Sequence, residues 1–222
     1  MLIAGIDEAG RGPVLGPMVL AVASIEKSQE ELLIEIGVKD SKLLTKNQRE
    51  EQLGPIKKAL LEFATIKISP LEIDSLRTWK SLNEIEAMRI GALLNGLKEK
   101  PEIVFIDSPD IKQENFGKRI KKYINFETIL RTEHKADINY PIVSAASIIA
   151  KTERDSAIAE LAEKAGCTIG SGYPHDPETI CFLNDCMKKN NQLPDFARKT
   201  WQTSQGMLDK KFQKKLAGWK ND

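Results

Sequence analysis

Short apolar runs separated by polar or glycine-rich breaks dominate the first two thirds of the chain. Residues 2–6 (LIAGI) are continuously apolar and predict a short buried strand, and Val14 to Ile25 predicts a second. Gly10-Arg11-Gly12-Pro13 lies between them. Glycine accepts positive φ and proline punctuates, so this segment predicts a hairpin connection. Thr45-Lys46-Asn47-Gln48 has the form of a capping box, opening a helix that Gly54-Pro55 is expected to break. Ala64 to Ser69 alternates as a strand does. From Asn83 to Lys98, the residues Ile85, Met88, Ile90, Leu93, Leu94 and Leu97 recur at helical spacing. Ile103 to Ile106 is a compact apolar run that stops abruptly at Asp107, and Phe126 to Leu130 is a weaker strand candidate. Ile142 to Ala165 predicts a long helix, Gly170 to Pro174 a loop, and Pro177 to Lys189 a further helix. The remainder reads as polar helix. A leading hairpin followed by alternating strands and helices predicts an α/β core around a mixed sheet, with the helices after about Ala150 appended to it.

Composition narrows the class. A chain of 222 residues with 41% hydrophobic and 29% charged residues has the balance of a soluble globular protein. Asp7 and Glu8 interrupt the first apolar run, which argues against a secretory leader, and Pro13 to Ser24 is too short to span a bilayer. A cytoplasmic location is expected. Cys167, Cys181 and Cys186 form no C-x-x-C pair, which argues against both a disulfide framework and a zinc site. With two histidines, chemistry built on a histidine cluster is excluded. The net charge of +1 does not by itself point to nucleic acid. Residues 188–222, however, carry nine Lys or Arg against three Asp, together with Trp201, Phe212 and Trp219. This basic tail suits a phosphate backbone or, equally, a solvated helical face.

The acids carry the chemistry. Asp7 and Glu8 sit where a buried strand should end, and neighbouring carboxylates beside apolar residues are costly unless a cation neutralises them. A hard cation such as Mg2+ prefers oxygen ligands. Adjacent strand residues point to opposite faces, so both acids reach one site only through a twist or bulge; otherwise they cap a turn. Asp107 ends the most hydrophobic short strand, at the position where α/β sheets collect ligands, whereas Asp110 reads as a turn residue. Asp137, just before the long helix, is by itself a loop or cap residue. Carboxylates without His or Cys suit Mg2+ or Mn2+ and two-metal hydrolysis of a phosphodiester.

These same segments resemble the ribonuclease HII family, in particular its archaeal members. The matching runs are GIDEAGRGPVLGP (5–17), GVKDSKLL (37–44), FIDSPD (105–110), EHKAD (133–137), YPIVSAASIIAKTERD (140–155), GSGYPHDP (170–177) and ARKTWQT (197–203). Together they run in order through nearly the whole chain. The resemblance implies a ribonuclease H-like fold, an α/β architecture with a mixed five-stranded sheet flanked by helices. Residues 1–150 would form the catalytic core, and residues 151–222 a helical extension packed on it and contributing to substrate binding, as one structural unit. It implies that Asp7, Glu8, Asp107 and Asp137 bind Mg2+ or Mn2+ and form the catalytic set. The implied activity is hydrolysis of the RNA strand of RNA–DNA hybrids and incision 5′ of ribonucleotides embedded in duplex DNA, leaving 3′-hydroxyl and 5′-phosphate ends.

The resemblance also assigns substrate contacts. Gly10, Arg11 and Gly12 would meet the 2′-hydroxyl at the RNA–DNA junction, largely through backbone groups, since glycine permits close approach. Tyr173 would pack on a neighbouring sugar. Lys39, Ser41 and Lys42 match a phosphate-contacting segment, and Ser147 and Lys151 would face the same groove. His134 lies near enough to Asp137 in sequence to tune the site, or is structural. Gln213, Leu216 and Trp219 have the spacing of a sliding-clamp-binding peptide, although Lys220 stands where a second aromatic is usual; an amphipathic helix folding on its own domain is the alternative. A monomer satisfies these features. Other readings are a resolvase- or transposase-like nuclease of the same superfold, which would cut ribose-free DNA, and a non-catalytic hybrid-binding protein. A type 3 ribonuclease H is disfavoured because Asp7 lies almost at the start.

Overall fold

The computed structural model describes residues 1–38 and 44–218, with side chains as far as Lys210. Among the described residues, the strands are β1 (Leu2–Ala9), β2 (Met18–Glu26), β3 (Glu62–Ile68), β4 (Ile103–Asp107) and β5 (Ile129–Glu133). The helices are α1 (Glu31–Ile36), α2 (Lys46–Ala59), α3 (Pro70–Leu76), α4 (Leu82–Gly96), α5 (Gln113–Lys121), α6 (Ala136–Asn139), α7 (Pro141–Ala165), α8 (Pro177–Asn190) and α9 (Gln202–Gly218). They group into two compact units. The first comprises residues 1–9, 18–67 and 80–154, and the second residues 10–17, 68–79 and 155–222.

The first unit is built on a five-stranded sheet in the order β3-β2-β1-β4-β5. β1 pairs with β2 antiparallel, while β1–β4 and β4–β5 are parallel, so the sheet is mixed as expected. Parallel strands buried on both faces read as continuous apolar runs, which is why Ile103 to Ile106 is so plain in the sequence. One face is covered by α1, α2 and the start of α7, whose Leu33, Ile56, Ile142, Val143, Ile148 and Ile149 join Ile3, Val19, Ala21, Ala23 and Ile25 in one core. On the sheet's other side, α4 contacts β2 and α5 contacts β5. Gly5 lets α7 come close. A Cβ there would lie 2.4 Å from the Ile142 carbonyl and 2.6 Å from the Val143 nitrogen, both backbone atoms that cannot step aside. The lack of a side chain at one strand position thus seats the start of α7 over the middle of β1.

The second unit gathers a smaller core. Val14, Leu15, Ile169, Leu183, Leu193 and Ala197 are buried, with Ile158, Leu161, Phe182, Phe196 and Trp201 packed against them. Leu15 makes an isolated antiparallel bridge with Ala197. This corrects the expected second strand. The apolar run from Val14 is continuous, but β2 begins only at Met18, because Val14 and Leu15 give their N–H groups to the Gly172 carbonyl and not to the sheet.

Other boundaries moved too, among them β3, expected at Ala64 to Ser69 and found at Glu62–Ile68. The capping box forms, with the Thr45 and Gln48 side chains each bonded to the other's backbone N–H. Gly54-Pro55 does not break the helix, however, and α2 runs on to Ala59. A proline at that position removes one intrahelical bond. Pro55 and Glu51 are exposed, so the orphaned carbonyl lies on the solvent side of the helix while Ile56 anchors the far side in the core. The expected strand at Phe126 to Leu130 is β5, displaced to Ile129–Glu133, and β1 continues past Ile6 to Ala9. Among the described residues, no helix is long and apolar enough to cross a membrane.

Candidate active site

Strand register decides where the acids fall. Ile6 pairs with Ile106 across the parallel β1–β4 ladder. Asp7 and Asp107 are the next residues along their strands and so lie side by side where the β1–β4 ladder stops, at the carboxyl end of β4, the edge where α/β sheets place ligands. Asp137 arrives from α6, which Lys135 introduces in the left-handed region at φ 58°. The Asp107 carboxylate accepts a hydrogen bond from the Ala136 N–H at 2.9 Å. One acid of the sheet therefore holds the short helix that carries Asp137, itself only 3% exposed.

Asp7 is the electrostatic centre of this group. Burial, above all, raises its carboxyl well above the ordinary carboxylate range; the neighbouring Glu8 charge adds to that, and Asp107 adds less. The Ser147 hydroxyl and the Glu8 N–H oppose the shift by donating to it, the latter at 2.8 Å. Ser147 is fully buried, so it supports Asp7 from beneath. A buried acid among like charges is unfavourable as an anion unless a cation arrives.

Glu8 tests how such a cation would be held. The β1–β2 register runs from Leu2↔Glu26 to Ala9↔Val19 without interruption, so the bulge that would turn both acids to one face does not occur. Asp7 and Glu8 leave the backbone toward opposite faces. Among the described residues, no three Asp, Glu, His or Cys side chains form a closed group that could hold a metal ion. Mg2+ does not require one, since it keeps several waters and is usually held by one or two carboxylates with substrate phosphates. The buried, like-charged Asp7 beside Asp107 fits an open site of that kind.

The surrounding residues order the strand ends. Ser108 donates its N–H to the Glu133 carbonyl at 2.9 Å, and the Tyr140 hydroxyl donates to the Glu133 carboxylate at 2.6 Å. Tyr140 also stacks on Phe105 with ring centroids 4.2 Å apart. His134 contacts the Ser108 carbonyl at 3.0 Å and the Ile111 carbonyl at 3.4 Å, which gives it a role in holding the 108–111 turn.

The glycine-rich segment belongs to the second unit. Gly10 is buried with φ 85°, Arg11 is half-buried and Gly12 is exposed. The Tyr173 ring lies 3.6 Å from where a Cβ on Gly12 would sit. The loop bearing Tyr173 is pinned by Asp176, which accepts from the Ser171 N–H at 2.5 Å and hydroxyl at 2.6 Å, and caps α8. Those hydrogen bonds hold its carboxyl down at about 2. Thr179 adds two more ties, accepting from the Gly172 N–H and donating to the Ile169 carbonyl, both at 2.9 Å.

Sequence reasoning missed Arg198, which is fully buried and donates to the carbonyls of Gly10, Arg11 and Gly16. Its position in a basic tail made it look like surface charge. The signal was its setting, Phe196-Ala197 before it and Trp201 three residues on. Lys151 lies one turn beyond Ser147 on α7. Lys39, Ser41, Lys42 and Trp219 lie outside the described residues, and Gln213 and Leu216 are described only as backbone of α9.

The ribonuclease HII family model matches residues 4–204. The chain is similar to the ribonuclease HII of Thermococcus onnurineus, 46% identical over 217 residues that cover 98% of this chain and 92% of the relative. Among solved structures it is similar to the ribonuclease H2 of Pyrococcus horikoshii OT3, with a TM-score of 0.90, 42% identity and coverage of 96% and 99% of the two chains. It is also similar to a chain in the PCNA:RNase HII complex of Archaeoglobus fulgidus, with a TM-score of 0.82, 39% identity and coverage of 91% and 96%. With this sheet, these strand-end acids and a match across nearly its whole length, the chain belongs to the ribonuclease HII family and is an endoribonuclease H of type 2, a phosphodiester hydrolase.

Proposed function

We propose that the protein cuts the RNA strand of RNA–DNA hybrids and nicks duplex DNA on the 5′ side of an embedded ribonucleotide, leaving 3′-hydroxyl and 5′-phosphate ends. The observation that carries this reading is Asp7, a buried acid raised by its own burial and by Glu8 and Asp107, at the carboxyl edge of the sheet. In this reading Asp7, Asp107 and Asp137 would hold Mg2+ or Mn2+, together with Glu8, which leaves β1 on the other face but lies close enough for its charge to raise the Asp7 carboxyl. A pair of such ions, when bound, supplies charge stabilisation at the attacking and leaving oxygens of an in-line displacement. None of the acids is a covalent nucleophile. Asp107 orients Asp137 through Ala136, and Ser147 orients Asp7. The backbone of Gly10, Arg11 and Gly12 reads the junction 2′-hydroxyl, Tyr173 packs on the adjacent sugar, Lys39, Ser41 and Lys42 contact phosphates, and Lys151 faces the same groove. The cytoplasm is the expected compartment.

Purified protein is expected to nick a DNA duplex holding one ribonucleotide in Mg2+ or Mn2+ and to do nothing in EDTA. A polymerase should extend the 3′ end of the upstream product. Equal cutting of the same duplex without ribose would overturn the reading in favour of a resolvase-like nuclease, and binding without metal-dependent turnover would leave a hybrid-binding protein.

We further propose a sliding clamp as a partner of α9 and the residues after it, through Gln213, Leu216 and Trp219. The similar Archaeoglobus fulgidus chain, solved in complex with PCNA, supports this reading. The full chain should retain a clamp in a pull-down while a chain ending at Phe212 does not. Equal retention sinks the assignment.

A further inference from the structure

The second unit contains a buried cation whose partners are the carbonyls of the glycine-rich loop. The Arg198 guanidinium, 0% exposed, donates through Nε to the Gly16 carbonyl at 3.1 Å, through Nη1 to the Arg11 carbonyl at 3.0 Å and through Nη2 to the Gly10 carbonyl at 2.5 Å. Trp201 donates its indole N–H to the Gly12 carbonyl at 3.1 Å. The carbonyls of three successive residues are thereby drawn to one side.

The peptide bonds here are trans, so each carbonyl points opposite to the N–H of the following residue. Holding the Gly10 and Arg11 carbonyls inward turns the Arg11 and Gly12 N–H groups the other way. Pro13 has no N–H, so the third peptide presents no donor. The loop thus presents two adjacent donors beside the exposed, side-chain-free Gly12, and Tyr173 borders the same residue.

The holder is itself firmly held. The Arg198 guanidinium lies 4.8 Å from the Trp201 ring centroid, and Arg77 lies 5.0 Å from that same centroid. The Arg198 N–H donates to the Val14 carbonyl at 2.8 Å. Asp74 accepts from the Lys199 N–H at 2.6 Å, the Thr200 N–H at 3.0 Å and the Thr200 hydroxyl at 2.6 Å, fixing the turn between Arg198 and Trp201. Burying a cation this completely is costly without several acceptors, and only a planar fork reaches carbonyls spread along a loop.

We infer that Arg198 and Trp201 are positioning residues that set ribose selectivity, by orienting the Arg11 and Gly12 N–H groups toward a ribose 2′-oxygen. This rests on the loop's 2′-hydroxyl contact given under Proposed function. Lysine at 198 keeps the charge but cannot bond several carbonyls in one plane, and phenylalanine at 201 keeps the ring but loses the donor.

The test compares wild type, Arg198→Lys and Trp201→Phe, each first checked by thermal melting. Affinity is measured in Ca2+ for a duplex with one ribonucleotide and for the same duplex made wholly of DNA. Nicking is then measured in Mg2+. Wild type should nick and should prefer the ribonucleotide duplex. Arg198→Lys should bring that preference to within about twofold of unity and slow nicking roughly 10- to 100-fold, the loss expected for one or two hydrogen bonds. Trp201→Phe should act in the same direction, by about threefold, and carries the test alone should Arg198→Lys not fold. A merely structural role would weaken both duplexes equally and keep the preference, and that result overturns the inference. So does a wild type that nicks yet binds both duplexes alike. A wild type that neither nicks nor discriminates sinks the function itself.

Discussion

Asp107→Asn is expected to slow nicking of a ribonucleotide-bearing duplex by at least about 10³-fold, roughly 4 kcal/mol of barrier, with affinity changed less than about threefold. Asparagine keeps an oxygen that can accept from the Ala136 N–H, so α6 and Asp137 should stay in place. What disappears is one negative charge at the sheet's carboxyl edge. Affinity should survive because nucleic-acid binding rests chiefly on phosphate contacts. Single-turnover nicking and a filter-binding titration in Ca2+ separate the two effects. Near-normal turnover by this variant would remove Asp107 from the catalytic set, and a parallel collapse of binding would recast it as structural.

Asp7→Asn should abolish activity to a similar degree while making the metal-free protein more stable. Burial and the charges of Glu8 and Asp107 raise the Asp7 carboxyl in the folded state above its unfolded value. Between those two values the folded chain holds the extra proton. Stability therefore falls as pH rises from the ordinary carboxylate range to the raised folded value, and above it the full cost of the buried anion remains. Asparagine never pays that cost, and it can still accept from Ser147 and the Glu8 N–H. In EDTA near neutral pH the variant should exceed wild type by about 1–3 kcal/mol, a rise in Tm of roughly 2–4 °C per kcal/mol. The advantage should shrink as pH is lowered into the carboxylate range. Mg2+ should stabilise wild type and not the variant. A variant less stable than wild type in EDTA would show that Asp7 is not an electrostatic burden.

The acids were legible because Asp7 and Asp107 each end a run of buried aliphatic residues, and a polar residue terminating such a run leaves a local signature. Their alignment was not legible, because the Ile6–Ile106 register depends on strands about 100 residues apart in the chain. The split of the Val14 to Ile25 run was hidden for a related reason. Apolar residues look alike whether they enter the sheet, as Val19 does, or a second core, as Leu15 does. Pro55 was over-read as a breaker because the solvent exposure of its turn cannot be seen locally. Arg198 was counted among the positive charges of the tail, yet it is fully buried and cannot act as surface charge. Its acceptors lie up to 188 residues away, a separation that no local pattern records.

That separation orders events during synthesis. The four acids all lie within the first 137 residues, and the last strand of the sheet ends at Glu133. Arg198 is made roughly 65 residues after that strand, a delay of about 3–13 s at ordinary translation rates. During this interval the nascent chain already contains every acid proposed for cleavage, but not the guanidinium that draws the Gly10 and Arg11 carbonyls inward. The acids proposed to cut are thus made first, and the side chain inferred to restrain where they cut is made well after them.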